Sequence, residues 1–202
     1  MVKSLQLALK RILDLILAVI LAIVTLPLFL VIVVAILHDF EGPALFKQTR
    51  VGYLGRPFVI WKFRTMHLGA EREWLPPNPD EFAQYRFQHA QDARITDIGV
   101  WLRKTSLDEL PQLYNVIAGS MSLVGPRPEI PEMVALYTGP MHRRHQMKPG
   151  ITGLAQISGR GDLTTAESIS WDLNYVDHWN FWLDIKILWW TLWAVIHGEG
   201  AH

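Results

Sequence analysis

From Ile16 to Leu37 the chain places 22 consecutive residues without a charge, longer than the roughly 20 that an α-helix needs to cross the hydrocarbon of a bilayer. This segment belongs in lipid. A cleaved signal peptide has a shorter apolar region, and the residues that follow, His38-Asp39-Phe40-Glu41, make no small-residue cleavage site. How the segment meets the membrane turns on Leu26-Pro27 near its middle, because proline removes a backbone hydrogen bond and kinks or breaks a helix. Lys3, Lys10 and Arg11 precede the run, and Lys47, Arg50 and Arg56 follow it. If basic flanks mark the cytoplasmic side, both ends are cytoplasmic. A re-entrant pair of half-helices bent at Leu26-Pro27 meets that constraint; a Pro-kinked spanning helix is the alternative, and the residues leave both open.

The 202 residues suffice for one globular domain beside this segment, with ample hydrophobic content for a core. Lys plus Arg equals Asp plus Glu at 19 each. A nucleic-acid binder would carry a basic excess, so nucleic acid is excluded as a partner. The absence of cysteine rules out disulfides, thiol catalysis and thiolate metal sites. A metal would have to be held by oxygen or imidazole.

The chemistry concentrates in Thr105-Ser106-Leu107-Asp108-Glu109-Leu110-Pro111, with Arg103 and Lys104 just upstream. Ser106 and Glu109 have the spacing of a capping box and Pro111 suits a first helical turn, so a helix start is expected there. Its dipole favours carboxylates and phosphoryl oxygens alike. Successive helical side chains point about 100° apart, so Asp108 and Glu109 cannot serve equally in one role. One reacts and the other supports it. The bland alternative makes Glu109 a helix cap and Asp108 a dipole-complementing charge.

Around this site the expected elements are simple. Residues 58 to 64 alternate as a strand, with Val59, Trp61 and Phe63 on a packed face and Lys62 and Arg64 on a cationic one; Gly52, Gly55 and Pro57 supply the turn of a hairpin. A loop opens at Pro76-Pro77-Asn78-Pro79 and a helix is expected from Asp80. The stretch from Ile98 to Ile117 reads as the helical site region, capped by Gly119. Pro126-Arg127-Pro128 fixes one arginine between two prolines, which pre-organises a guanidinium for an anion or simply makes a turn. Further on, Arg143, Arg144 and Lys148 precede two glycine-containing stretches, Pro149 to Gly153 and Ser158 to Gly161, that match no phosphate-binding fingerprint. The histidines from His89 to His178 show no metal spacing. The final segment carries six of the nine tryptophans and reads as a helix with a polar stripe of Asn180, Asp184 and Thr191, lying in the membrane interface or buried in a core.

Six ordered motifs resemble the bacterial sugar transferase family, the monotopic polyprenyl-phosphate phosphoglycosyl transferases. They are Lys10-Arg11-Ile12-Leu13-Asp14, Pro43-Ala44-Leu45-Phe46, Lys62-Phe63-Arg64-Thr65-Met66, Leu102 to Gln112, Ser122 to Pro128, and Lys148 to Gly153. The resemblance implies an α/β, mostly helical, membrane-associated fold: a re-entrant helix over residues 1–40, a cytoplasmic catalytic domain over 41–170 with a short β-hairpin, and an interfacial amphipathic helix over 171–202. It implies transfer of a phospho-sugar from a UDP-sugar to polyprenyl phosphate at the cytoplasmic face of the bacterial inner membrane, with Mg2+ held at Asp108 and Glu109. By the same resemblance Asp108 is the nucleophile, Glu109 its dyad partner, and Arg103 and Arg127 the anion contacts, with Arg160 a further candidate. Lys62, Arg64, Pro126 and Pro128 complete the expected substrate-binding set. One departure stands out: Leu26-Pro27 replaces the family's Ser-Pro at the break, with Thr25 nearby as a substitute hydroxyl. A non-enzymatic membrane adaptor and a nucleotide-sugar diphosphatase are the rival functions. The sugar, the polyprenol length and the oligomeric state, a homo-oligomer included, are not legible in the sequence.

Overall fold

The computed structural model describes residues 2–39, 41–70, 73–86, 92–159 and 162–197. His89 and Arg160 lie outside them. The apolar segment forms one helix, α1 (Val2–Asp39), which continues through Pro27. The expected break at Leu26-Pro27 is therefore absent from the secondary structure. Proline deletes the bond that would run to the carbonyl of Ile23, and the Thr25 hydroxyl donates instead to Leu21 O at 2.7 Å.

What keeps the second half of α1 in line is its packing. Lys10, Asp14, Ala18, Ile32 and Ile36 are buried at helical spacing. Leu17 and Ala22 join one core cluster, while Phe29 and Val33 join a second with Phe63 and Leu102. Both halves of α1 thus rest on the same domain. The opposite face, including Ile16, Ile20, Ile23, Val24, Val31 and Val34, is exposed along its length.

The expected hairpin is present: β1 (Leu45–Val51) pairs antiparallel with β2 (Pro57–Phe63), Val51 opposite Pro57. Its two faces are less distinct than the alternation suggested, because Ile60, on the face of Lys62, is buried while Val59 is exposed. The outer edge of β2 is closed by one side chain. Asn115 accepts from Trp61 N at 3.1 Å and donates to Val59 O at 2.7 Å, which satisfies strand groups that would otherwise stand open.

No α-helix begins at Asp80; among the described residues of that stretch only Phe82–Gln84 makes a 3-10 turn. The single helical site region expected from Ile98 to Ile117 is divided into α2 (Asp97–Lys104), a 3-10 turn (Leu107–Glu109) and α3 (Gln112–Ala118). Thr96 caps α2 by accepting from Gly99 N, and Gly119, at φ 91°, ends α3 as expected. The last carbonyls of α3, those of Val116 and Ile117, accept from Arg11 of α1. Next, β3 (Ser122–Val124) pairs in parallel with β4 (Gly150–Thr152), and α4 (Pro131–Val134) lies between them in sequence. Three helices close the fold: α5 (Leu154–Ser158), α6 (Thr165–His178) and α7 (Phe181–His197). A capping box of Thr164 and Glu167 starts α6, which runs across position 171.

Of the expected polar stripe, Asp184 and Thr191 of α7 point inward, while Asn180 is exposed just before the helix. Asp184 is buried against Lys10 at 2.7 Å, Tyr175 and Trp179, and Thr191 bonds Thr152. Trp182, Trp189, Trp190 and Trp193 are exposed. Together with the bare face of α1, that leaves exposed large apolar side chains on two helices, the kind of surface that marks contact with a membrane or a partner.

Gly99 decides how closely α2 approaches the end of β2. A Cβ there would meet Thr65 O at 2.2 Å, backbone that cannot swing aside. Gly99→Ala should cost about 1–3 kcal/mol by forcing α2 away. Thermal and denaturant unfolding in detergent would measure it, and an unchanged midpoint would contradict the close approach.

Candidate active site

The two carboxylates occupy the turn between α2 and α3. Ser106 adopts the left-handed conformation, φ 57°, and makes no side-chain cap bond, so the expected capping box does not form. The chain leaves α2 and enters the 3-10 turn through Ser106, whose left-handed backbone breaks the helix there. Freed from capping, Glu109 reaches two cations. Its Oε1 accepts from Lys62 Nζ at 3.0 Å and from Arg127 Nη2 at 3.1 Å. Asp108, buried beside it, is 3.9 Å from Lys62 Nζ and has no hydrogen bond among the described residues.

The environments of the pair diverge. Burial opposes ionisation of Glu109, but Lys62 and Arg127 outweigh it and hold this carboxyl below the usual range. At Asp108 burial prevails: together with the negative Glu109 it pushes the carboxyl up, against the pull of Lys62, Arg103 and Arg127. One carboxylate therefore holds two cations through a single oxygen, and the other is a buried, poorly stabilised anion without a hydrogen bond among the described residues. Among the described residues Glu109 Oε2 has no hydrogen bond, because both cations bind Oε1.

The structure brings together Asp108, Glu109, Lys62 and Arg127, which come from three separate stretches of sequence. Arg103 comes near enough to act on Asp108 electrostatically, while its Nε donates to Thr65 Oγ1 at 2.9 Å. Arg64 does not join: its Nε donates to Pro43 O at 3.0 Å, and its guanidinium lies 5.5 Å from the Phe46 ring centroid. Pro126 and Pro128 frame Arg127 from buried positions. Arg160 lies outside the described residues.

Three contributors escaped the sequence reading. Thr65 holds Arg103, and Asn115 fixes β2 and with it Lys62. Arg144 was legible only as one of two adjacent basic residues, yet it is buried against Asp172 while Arg143 is exposed and pairs with Asp177. No local pattern distinguishes the two arginines. The feature that does is the buried acidic partner on α6, far away in sequence.

A buried two-carboxylate pair with fixed cations, set on a domain that presents exposed apolar helix faces, has the makings of an enzyme site suited to an anionic substrate. A family model described as "Bacterial sugar transferase" matches residues 5–198, and the chain belongs to that family. It is 41% identical over 194 residues to the "Uncharacterized sugar transferase EpsL" of Bacillus subtilis, covering 95% of this chain and 89% of that one. It is also 47% identical over 164 residues to the "Galactosyl transferase CpsE" of Streptococcus agalactiae, covering 79% of this chain and 36% of the relative. A third relative, the "UDP-glucose:undecaprenyl-phosphate glucose-1-phosphate transferase" of Klebsiella pneumoniae, is 41% identical over 202 residues, 96% of this chain and 41% of its own length. The chain thus spans well under half the length of two of these relatives.

Proposed function

We propose that this protein transfers a phospho-sugar from a UDP-sugar to polyprenyl phosphate, releasing UMP, through a covalent intermediate on Asp108. The observation that carries this reading is the division of labour between the carboxylates. Glu109 anchors Lys62 and Arg127 through one oxygen, and Asp108, 3.9 Å from Lys62 Nζ, makes no hydrogen bond among the described residues. An Asp108 oxygen attacks the phosphorus that bears the sugar, the bond to the UMP oxygen breaks, and UMP leaves with that electron pair. A polyprenyl phosphate oxygen then attacks the same phosphorus and returns the carboxylate to Asp108. Lys62 and Arg127 offset the charge that gathers on the phosphoryl oxygens.

Mg2+ fits the donor set. This cation prefers oxygen, keeps several waters, and needs only one or two carboxylates beside a substrate phosphate. Asp108 and the free Oε2 of Glu109 would hold it, and when bound it would neutralise diphosphate charge. Detection of UMP from a panel of UDP-sugars with polyprenyl phosphate tests the reading. Turnover without a lipid acceptor would favour the diphosphatase instead.

The same proposal places the protein on the cytoplasmic face of the inner membrane with both ends of α1 on one side. Lys10 and Ile36 are about 39 Å apart along a straight helix, more than the roughly 30 Å of hydrocarbon, and both are buried against the domain. A crossing helix would take polar parts of the domain into lipid with it. Single cysteines at Val2 and Thr49 are therefore expected to resist a membrane-impermeant thiol reagent in intact spheroplasts and to react once the membrane is opened. Labelling at position 2 alone would show that α1 crosses.

A further inference from the structure

Four consecutive carbonyls, from Pro126 to Glu129, are each bound by a different donor. Gly150 N donates to Pro126 O at 3.0 Å, and Val51 N to Glu129 O at 2.8 Å. Between them Arg144 Nη2 donates to Arg127 O at 2.7 Å and Arg50 Nη1 to Pro128 O at 3.2 Å. Two prolines deprive this loop of backbone donors, so it cannot brace itself by a ladder of its own. It is held instead through its acceptors, and at its centre by two arginine side chains.

Arg144 is the more deeply placed of the two. Its guanidinium pairs with Asp172 of α6, bonds the Tyr137 hydroxyl, and lies 3.9 Å from Glu129. Arg144 and Asp172 are both essentially inaccessible to solvent. Buried charges of this kind are costly unless their geometry is satisfied. This one spends a guanidinium N–H on the backbone of the very residue whose side chain reaches Glu109.

We propose that Arg144, oriented by Asp172, is a positioning residue that sets the Arg127 guanidinium against Glu109. Arg144 touches neither Asp108 nor Glu109, and its effect passes through the Arg127 main chain. Moving that main chain by a fraction of an ångström carries the guanidinium out of contact with Glu109 Oε1. Glu109 then loses one of its two cations, and the site loses the fixed charge that faces the phosphoryl group. Misplacements of about 1 Å can cost on the order of a hundredfold in rate.

The activity part of the test rests on the transferase reading above, so a ligand-free measurement accompanies it. In protein labelled with 15N-arginine, the Arg127 Nε–H signal is identified by its loss in Arg127→Lys. In Arg144→Lys and in the milder Asp172→Asn, that signal should move to the position it takes in Glu109→Gln, while circular dichroism stays that of the wild type. An Arg127 signal that keeps its wild-type position in folded Asp172→Asn would overturn the proposal. For turnover, Arg144→Lys should lower kcat at least tenfold in the wild-type background and less than twofold in Arg127→Ala. Equal losses in both backgrounds would mean that Arg144 acts only on general stability. Absence of wild-type UMP release with every UDP-sugar would defeat the transferase reading and leave the arginine signal to decide the positioning role.

Discussion

Asp108→Asn should release less than a tenth of the wild-type UMP and form no phospho-sugar adduct, yet unfold at a higher temperature than the wild type at pH 7. An amide is neither a nucleophile toward phosphorus nor an anionic metal ligand, so turnover stops at the first step. The stability gain follows from the raised carboxyl of Asp108, which burial disfavours as an anion and Glu109 repels. For a carboxyl whose folded pKa exceeds its unfolded value, the destabilisation is absent below the unfolded value, about 3.9, and complete above the folded one. Raising the pH through that window should widen the gap between variant and wild type, and acidifying should close it. Intact-protein mass spectrometry with UDP-sugar and magnesium, without lipid, reads the chemistry: an added phospho-sugar on the wild type and none on the variant. An adduct surviving on Asp108→Asn would remove Asp108 as the nucleophile. A variant less stable than the wild type at neutral pH would mean that the attraction of Lys62 outweighs burial.

Lys10→Met should destabilise the protein by about 3–5 kcal/mol, the cost of leaving one member of a buried pair without its partner. Lys10 Nζ lies 2.7 Å from Asp184 Oδ2 and donates to Val124 O at 2.8 Å, and both residues are buried. Removing the cation leaves Asp184, among the described residues, with the Tyr175 hydroxyl and the Trp179 indole as its remaining donors. Replacing both charges, in Lys10→Met with Asp184→Leu, should restore most of the loss. Denaturant unfolding in detergent measures all three variants; a single substitution costing under about 1 kcal/mol would show that the pair does not fasten α1 to α7. Asp14 adds a second fastening, accepting from Ser122 Oγ at 2.8 Å and Leu123 N at 3.0 Å.

The four candidate residues that meet in the fold, Lys62, Asp108, Glu109 and Arg127, were legible because their chemistry is local. Adjacent carboxylates, an arginine between prolines and a cationic strand announce themselves in short windows, and so do the apolar run and the hairpin. Their partnerships were not. Glu109 has the spacing of a helix cap, and its neighbours in sequence contain nothing that says Lys62 and Arg127 will claim it first. A charge-assisted pair with two cations is stronger than one bond to a backbone N–H, but only the tertiary fold brings those cations within reach. The polar stripe of α7 misleads in the same way: periodicity identifies a stripe, and which side faces the protein depends on whether a buried cation awaits Asp184.

What the sequence determined alone is the apolar, uncharged character of α1, long enough to cross a bilayer, and the candidate reacting groups, which follow from residue type. Tertiary structure decided the rest. Pro27 removes one hydrogen bond from α1, and contacts of Phe29, Ile32, Val33 and Ile36 with the domain hold the helix together beyond it. Arg143 and Arg144 are adjacent and chemically alike, yet one is exposed and the other buried beneath the Arg127 loop, because only the second meets Asp172 where water is excluded. Local rules govern what a residue prefers; long-range packing governs which preference is satisfied.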